Sequence, residues 1–278
     1  MAEITAAVVK ALRDETQLPM MECKKALQET GGDMEAAKQK LREAGKKFMS
    51  KRDDRTTEEG RIATFASIDK GVGAMIELLC ESAPVASNGE FIALANDLAQ
   101  QLATGRGAKS PDDLWSQPSP SKKGMTLQDQ MEELQNKIRE VFRLSRILRV
   151  DTPCGSYVHH DAKSGVLVSV EGGNQELAKD VSMHIAAMRP KVLRVEDLDP
   201  ADVDKERRIL KEAALQEGKP ETIVDKMVEG RLRNFYAENV LTEQPFVKDD
   251  KQTVGQIAKQ GGMKILDFVY WRLGEAGG

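Results

Sequence analysis

One pattern occurs twice in this chain and limits what the chain can fold into. Residues 61–68 alternate apolar and polar, 69–73 supply a turn, and 74–80 (AMIELLC) are apolar except at Glu77. A helical pattern then opens at Glu90, with Phe91, Leu94, Ala95, Leu98 and Leu102 on one face. The second copy has CGSYVHH at 154–160, a turn at 161–164 and GVLVSV at 165–170. A helical pattern follows over 175–188 with Leu177, Val181, His184 and Ile185 inward. Residues 145–150 and 265–273 extend the parallel, each reading as a further strand. A hairpin exposes one apolar face and must cover it, so each copy predicts a small antiparallel sheet backed by helices. The fold class expected is α+β, with two duplicated core subdomains over 61–151 and 152–278.

The remaining segments are helical or connecting. Residues 1–45 read as three short helices, divided by Gln17-Leu18-Pro19 and by Gly31-Gly32. Pro19 starts the second helix and Asp33 caps the third. This small unit resembles a ubiquitin-associated domain. The charged stretch 46–60 is expected to be a linker, as a solvated tether or a helix tail, and 105–124, rich in Ser, Pro, Gly and Lys, a loop. Thr126 is placed to cap a helix carrying Leu127, Met131, Leu134, Ile138 and Val141. Two further helices at about 199–236, broken at Gly218-Lys219-Pro220, form an antiparallel hairpin in which Ile209, Leu210, Ala213 and Ala214 face Val224, Met227, Val228 and Leu232. Such a hairpin is either a packing strut or a second partner contact.

A net charge of −4 argues against a general nucleic-acid binder. No apolar run approaches the roughly 20 residues of a membrane span, and the first helix carries acids among its bases, unlike a signal peptide. Three scattered cysteines fit reduced thiols in a cytosol, not a disulfide frame. No GxxxxGK[ST] or GxGxxG follows a strand, so no nucleotide cofactor is expected. Cys154, His159 and His160 lack a further ligand at metal-site spacing, so no metal is expected. His184 reads as a core histidine and Cys80 as an inert buried thiol. Binding, not covalent catalysis, is the expected activity. Residues 81–89 join strand to helix either as a plain connection or as backbone presented to a partner.

Specific stretches name a family. Leu12-Arg13, Thr16 and MMECKKAL at 20–27 resemble the N-terminal signature of the bacterial elongation factor Ts family; GSYVHH, SGVLVSVEGG, MHIAAMRP, GKPETIVDKMVEGRL and QPFVKDDKQTVGQ are similar to its later signatures. The resemblance covers essentially the whole chain. It implies a guanine-nucleotide exchange factor that binds elongation factor Tu with GDP, disturbs the magnesium and phosphate site, and lets GTP enter.

The resemblance also implies where the partner would be met. The N-terminal helices would grip the GTPase domain, with Leu12, Leu18, Met20 and Met21 as candidates; Leu18 and the two methionines could equally pack the small core. A loop would intrude near magnesium, here Ser82, Ala83, Pro84 and Val85. Tyr157 and His159 of the family's Tyr-x-His turn would lie near another partner domain. In the family this loop reads Cys-x-Thr-Asp-Phe-Val; here 80–85 reads CESAPV, without the aspartate or the phenylalanine. Two other classes remain: a non-catalytic interaction module with a ubiquitin-associated-like domain, and an enzyme with an unrecognised site. Turnover without any protein partner would mark the second.

Overall fold

A computed structural model describes residues 4–52, 54–218 and 220–275. Residues 1–3, at the start of the first expected helix, Asp53 in the expected linker, Lys219 in the expected hairpin break and the last three residues lie outside that description. The chain is α+β and divides into two compact units. One holds the chain up to Phe65, Ala74–Arg149 and the stretch from Leu273; the other holds Ala66–Gly73 and Val150–Arg272.

In the first unit, α1 (Ala6–Thr16), α2 (Met20–Glu29) and α3 (Met34–Ser50) form the expected three helices. Thr5 caps α1 and Asp33 caps α3, each accepting a backbone N–H two or three residues into the helix. Gln17 ends α1 in the left-handed region, and Gly31 and Gly32 carry the left-handed backbone after α2. Val9, Leu12, Leu18, Cys23, Ala26, Leu27, Ala37 and Leu41 make the core.

The first part of the charged stretch 46–60 is a helix tail, one of its two expected forms. Helix α3 runs to Ser50, because Ala37, Leu41, Gly45 and Phe48 continue one face at helical spacing through the charged stretch. That face packs on α7 (Leu127–Ile138), with Lys46 paired to Glu132 at 2.9 Å, and Arg139, just past the end of α7, pairs with Glu22 of α2 at 2.7 Å. The guanidinium groups of Arg52 and Arg139 lie 4.2 and 4.7 Å from the Phe48 ring centre.

Strands β1 (Glu59–Ser67), β2 (Val72–Cys80) and β3 (Arg143–Val150) form a three-stranded sheet in that order. The central strand is almost wholly buried, which is why it reads as one apolar run. Its single charge, Glu77, meets Arg146 with two hydrogen bonds of 2.9 and 3.0 Å and accepts the Gly274 N–H. Helix α5 (Gly89–Thr104) buries Phe91, Leu94, Leu98 and Leu102 and packs against α7, and Phe91 meets Phe142 edge to face at 5.0 Å.

Two short helices interrupt stretches read as loops: α4 (Ala83–Ala86) and α6 (Pro111–Trp115). Ser110 caps α6, and the connection after it is held by a buried network in which Ser121 and Gln130 donate to Asp97 and Ser119 donates to Gln130. Helix α7 ends at Ile138 because Arg139 turns left-handed, so Val141 lies beyond it and not on its face as expected.

The second unit repeats the plan. Strands β4 (Cys154–Val158), β5 (Ser164–Gly172) and β8 (Met263–Arg272) form a sheet with β5 central and both pairings antiparallel. Helix α8 (Gln175–Met188) lies on it. Helices α9 (Pro200–Gln216) and α10 (Glu221–Asn239) make the expected hairpin, seamed by Ala214, Val224, Val228 and Leu232 with Leu210 beside them. Ile209, expected in that seam, is turned to solvent, because the inward row of α9 passes through Leu210 and Ala214. Strands β6 (Pro245–Phe246) and β7 (Asp249–Thr253) and helix α11 (Val254–Gln260) complete the unit. His184 is fully buried: its Nε2–H donates to Gln244 at 2.9 Å and its Nδ1 accepts the Val247 N–H at 3.3 Å.

Candidate functional site

The segment between β2 and α5 is a braced projection. Ser82 is fixed on each of its polar atoms. Its N–H and hydroxyl both donate to the Glu140 carboxylate, and its carbonyl accepts from Val85 N, Ala86 N and the Cys80 thiol. Glu81 donates its own N–H to Glu140. Burial alone would raise the Glu81 carboxyl, but the Val141 N–H and the Arg55 guanidinium outweigh it and hold the group below its ordinary value. The far end is closed by Asn88, whose side chain accepts the N–H groups of Glu90 and Phe91, and by Arg61, which donates to Ala86 O.

Between these anchors the four candidate residues differ. Ala83 and Pro84 are exposed, Ser82 is half-buried, and Val85 is only 9% exposed. Val85 therefore packs inward, and the apolar surface offered outward is that of Ala83 and Pro84. Pro84, in the first turn of α4, stiffens this tip. Cys80 is fully buried, and desolvation, with the Glu140 charge adding to it, pushes its thiol up to about 12. It is a weak nucleophile, as expected.

At the N-terminal helices the four candidates split into two pairs. Leu12 and Leu18 are buried in the core of the three helices. Met20 and Met21 open α2 and are 46% and 72% exposed. Pro19 places them there by starting the helix where they stand, and their flexible thioethers suit an irregular partner surface.

Tyr157 and His159 lie near the end of β4, where the chain turns into β5. The Tyr157 hydroxyl is 3.4 Å from His159 Nδ1, and His159 is pinned by its N–H to Ser164 O and its carbonyl to Ala162 N. Both side chains are half-buried and line a cleft of about 260 Å³, with Lys163, Arg189 and Arg272 on its walls and Met183 and Ala186 also lining it. Cys154 is at the other end of β4 and buried, hydrogen-bonded with Thr152 and Ser169. Among the described residues no cluster of three or more His, Cys, Asp or Glu could hold a metal ion, and no helix is long and apolar enough to cross a membrane.

The family model described as Elongation factor TS matches residues 81–275. The chain belongs to the elongation factor Ts family. It is 45% identical over 277 residues to elongation factor Ts of Azoarcus sp. strain BH72, covering 99% of this chain and 92% of that one. It is 43% identical to that of Aquifex aeolicus, with 92% of each covered, and 39% identical to that of Kineococcus radiotolerans, with 99% and 100% covered. The role in translation elongation follows from that membership. The elongation factor Ts match begins at Glu81, at the base of the braced projection, and takes in Glu140, Tyr157, His159 and the α9–α10 hairpin. The N-terminal helices lie ahead of it but within the span shared with the Azoarcus protein. Glu140 was missed from sequence because it acts on backbone 58 and 59 positions away.

Proposed function

We propose that this protein is a guanine-nucleotide exchange factor for elongation factor Tu, acting in the cytoplasm and carrying out no covalent chemistry. It binds Tu carrying GDP, disturbs the magnesium and phosphate site, and releases GDP so that GTP can enter. The observation that carries this reading is the elongation factor Ts match over nearly the whole chain. Nucleic acid, membrane and a bound cofactor play no part in it.

The physical mechanism is linkage. A factor that binds the nucleotide-free form of Tu more tightly than the GDP form must weaken GDP by the same ratio. Each tenfold weakening needs about 1.4 kcal/mol of coupling, which several contacts can share. Met20 and Met21 dock one part of Tu and the Tyr157–His159 turn another, while the Ala83–Pro84 tip enters near magnesium. Lacking a benzyl group, the tip gives up about 1.5–3 kcal/mol of burial that a phenylalanine would supply, so more of the coupling falls to the brace and the docking surfaces.

The test is release of fluorescent GDP from Tu in stopped flow. The observed rate should rise hyperbolically with factor concentration, and the factor alone should hydrolyse no nucleotide. Changing Met20 and Met21 together to Asp should raise the half-saturating concentration at least tenfold, since a buried unpaired charge is costly; His159→Ala should slow release with little change in melting temperature. A rate that stays at the spontaneous value with saturating factor contradicts the reading. Affinity within twofold of wild type for the Met pair removes that docking site.

A further inference from the structure

Ala83 and Pro84 carry no polar side-chain atom, so nothing on the tip itself can steer it; its direction must come from its base. At the β2 end of that base three donors converge on one carboxylate. Glu140 lies between α7 and β3 and accepts from Glu81 N at 3.2 Å, from Ser82 N at 3.1 Å and from the Ser82 hydroxyl. Glu81 answers by accepting Val141 N at 2.9 Å, so residues 81–82 and 140–141 are stapled in both directions. Charge-assisted bonds of this kind are the stronger class. The carboxylate takes all three donors on two charged oxygens; a glutamine keeps one neutral acceptor for the two N–H groups and makes the Ser82 hydroxyl accept from its NH2 in place of donating, and an aspartate is one methylene short.

From this arrangement we infer that Glu140 is a positioning residue for exchange: it sets the direction in which Ala83 and Pro84 leave the sheet, and so how far they reach into the partner. The inference rests on the exchange reading above. A tip held before it docks loses less entropy on docking than one that must be ordered in the complex. Glu140 therefore acts on the step in which GDP is loosened and not on the first encounter, which the exposed methionines and the β4–β5 turn supply.

The experiment measures fluorescent GDP release from Tu against concentration of the full-length factor, separating plateau rate from half-saturating concentration. Glu140→Gln should lower the plateau about tenfold and shift half-saturation less than about twofold, with the protein folded by circular dichroism. Ser82→Ala, which removes one of the three donors, should lower the plateau in the same direction by less, and Ser82→Thr should recover most of that loss. A merely structural role would reduce the active fraction and raise half-saturation with the plateau kept; that outcome, or wild-type plateaus in both Glu140→Gln and Ser82→Ala, overturns the inference. If Glu140→Gln fails to fold, the Ser82 pair decides alone, and a wild-type plateau in Ser82→Ala overturns it. If wild type itself leaves release at the spontaneous rate, the exchange reading falls and this inference with it. If wild type is active and the variants match it, only the inference falls.

Discussion

His184 joins α8 to the chain around β6 through both ring nitrogens, and that pairing fixes the proton on Nε2. Burial pushes its pKa down, and the bond to Gln244 offsets this only in part. The consequence for stability has a definite sign. Below about 6.5 the unfolded chain binds a proton at this position while the folded chain does not, so stability is lost as pH falls from there toward the lowered folded value. Within that window the loss is about 1.4 kcal/mol per pH unit. Urea unfolding at pH 7.5 and 5.5 should show wild type losing more stability than His184→Gln, even though the variant starts lower for want of the ring. Equal losses in both would mean that His184 does not titrate as its surroundings require. The burial of this residue was legible, since it shares a helical face with Val181 and Ile185. Its two partners were not, because Gln244 and Val247 follow an insertion of two helices.

At the level of elements, alternation and helical spacing were enough to place both hairpins, their covering helices and the α9–α10 pair, since each must bury a continuous apolar face. What could not be read were pieces too short to show a period: α4, α6, β6, β7 and α11. These are held by caps and by tertiary contacts, Ser110 for α6 and the Thr253–Gln256 capping box for α11. The α3 overrun is the opposite case, in which charge density hid a periodic face. The packing of α8 on β4 supplies a test at this scale. A Cβ added at Gly155 would fall 2.5 Å from the Ala178 carbonyl carbon and 2.6 Å from its Cβ, so helix and strand touch through the missing side chain. Gly155→Ala should force them apart and cost about 1–3 kcal/mol, measured by thermal or urea unfolding. Stability equal to wild type would show that α8 does not rest on β4 at this point.

For the whole molecule, the candidate site was legible in outline and not in depth. Of the residues that motif resemblance singled out, Leu12, Leu18 and Val85 are buried, while Met20, Met21, Ala83 and Pro84 are exposed, and the brace at Glu140 carries no motif of its own. A carboxylate's reach across about 60 residues is not written in local spacing. Exchange as proposed is a coupling between factor and nucleotide, so the decisive quantity is a ratio of affinities. Titration calorimetry can give the affinity of this protein for nucleotide-free Tu and for Tu bound to GDP and magnesium, and the affinity of Tu for GDP with and without saturating factor. Exchange requires tighter binding to the nucleotide-free form, by tenfold or more, with GDP weakened by the same factor. Equal affinity for the two forms of Tu would leave GDP binding unchanged and would contradict the account.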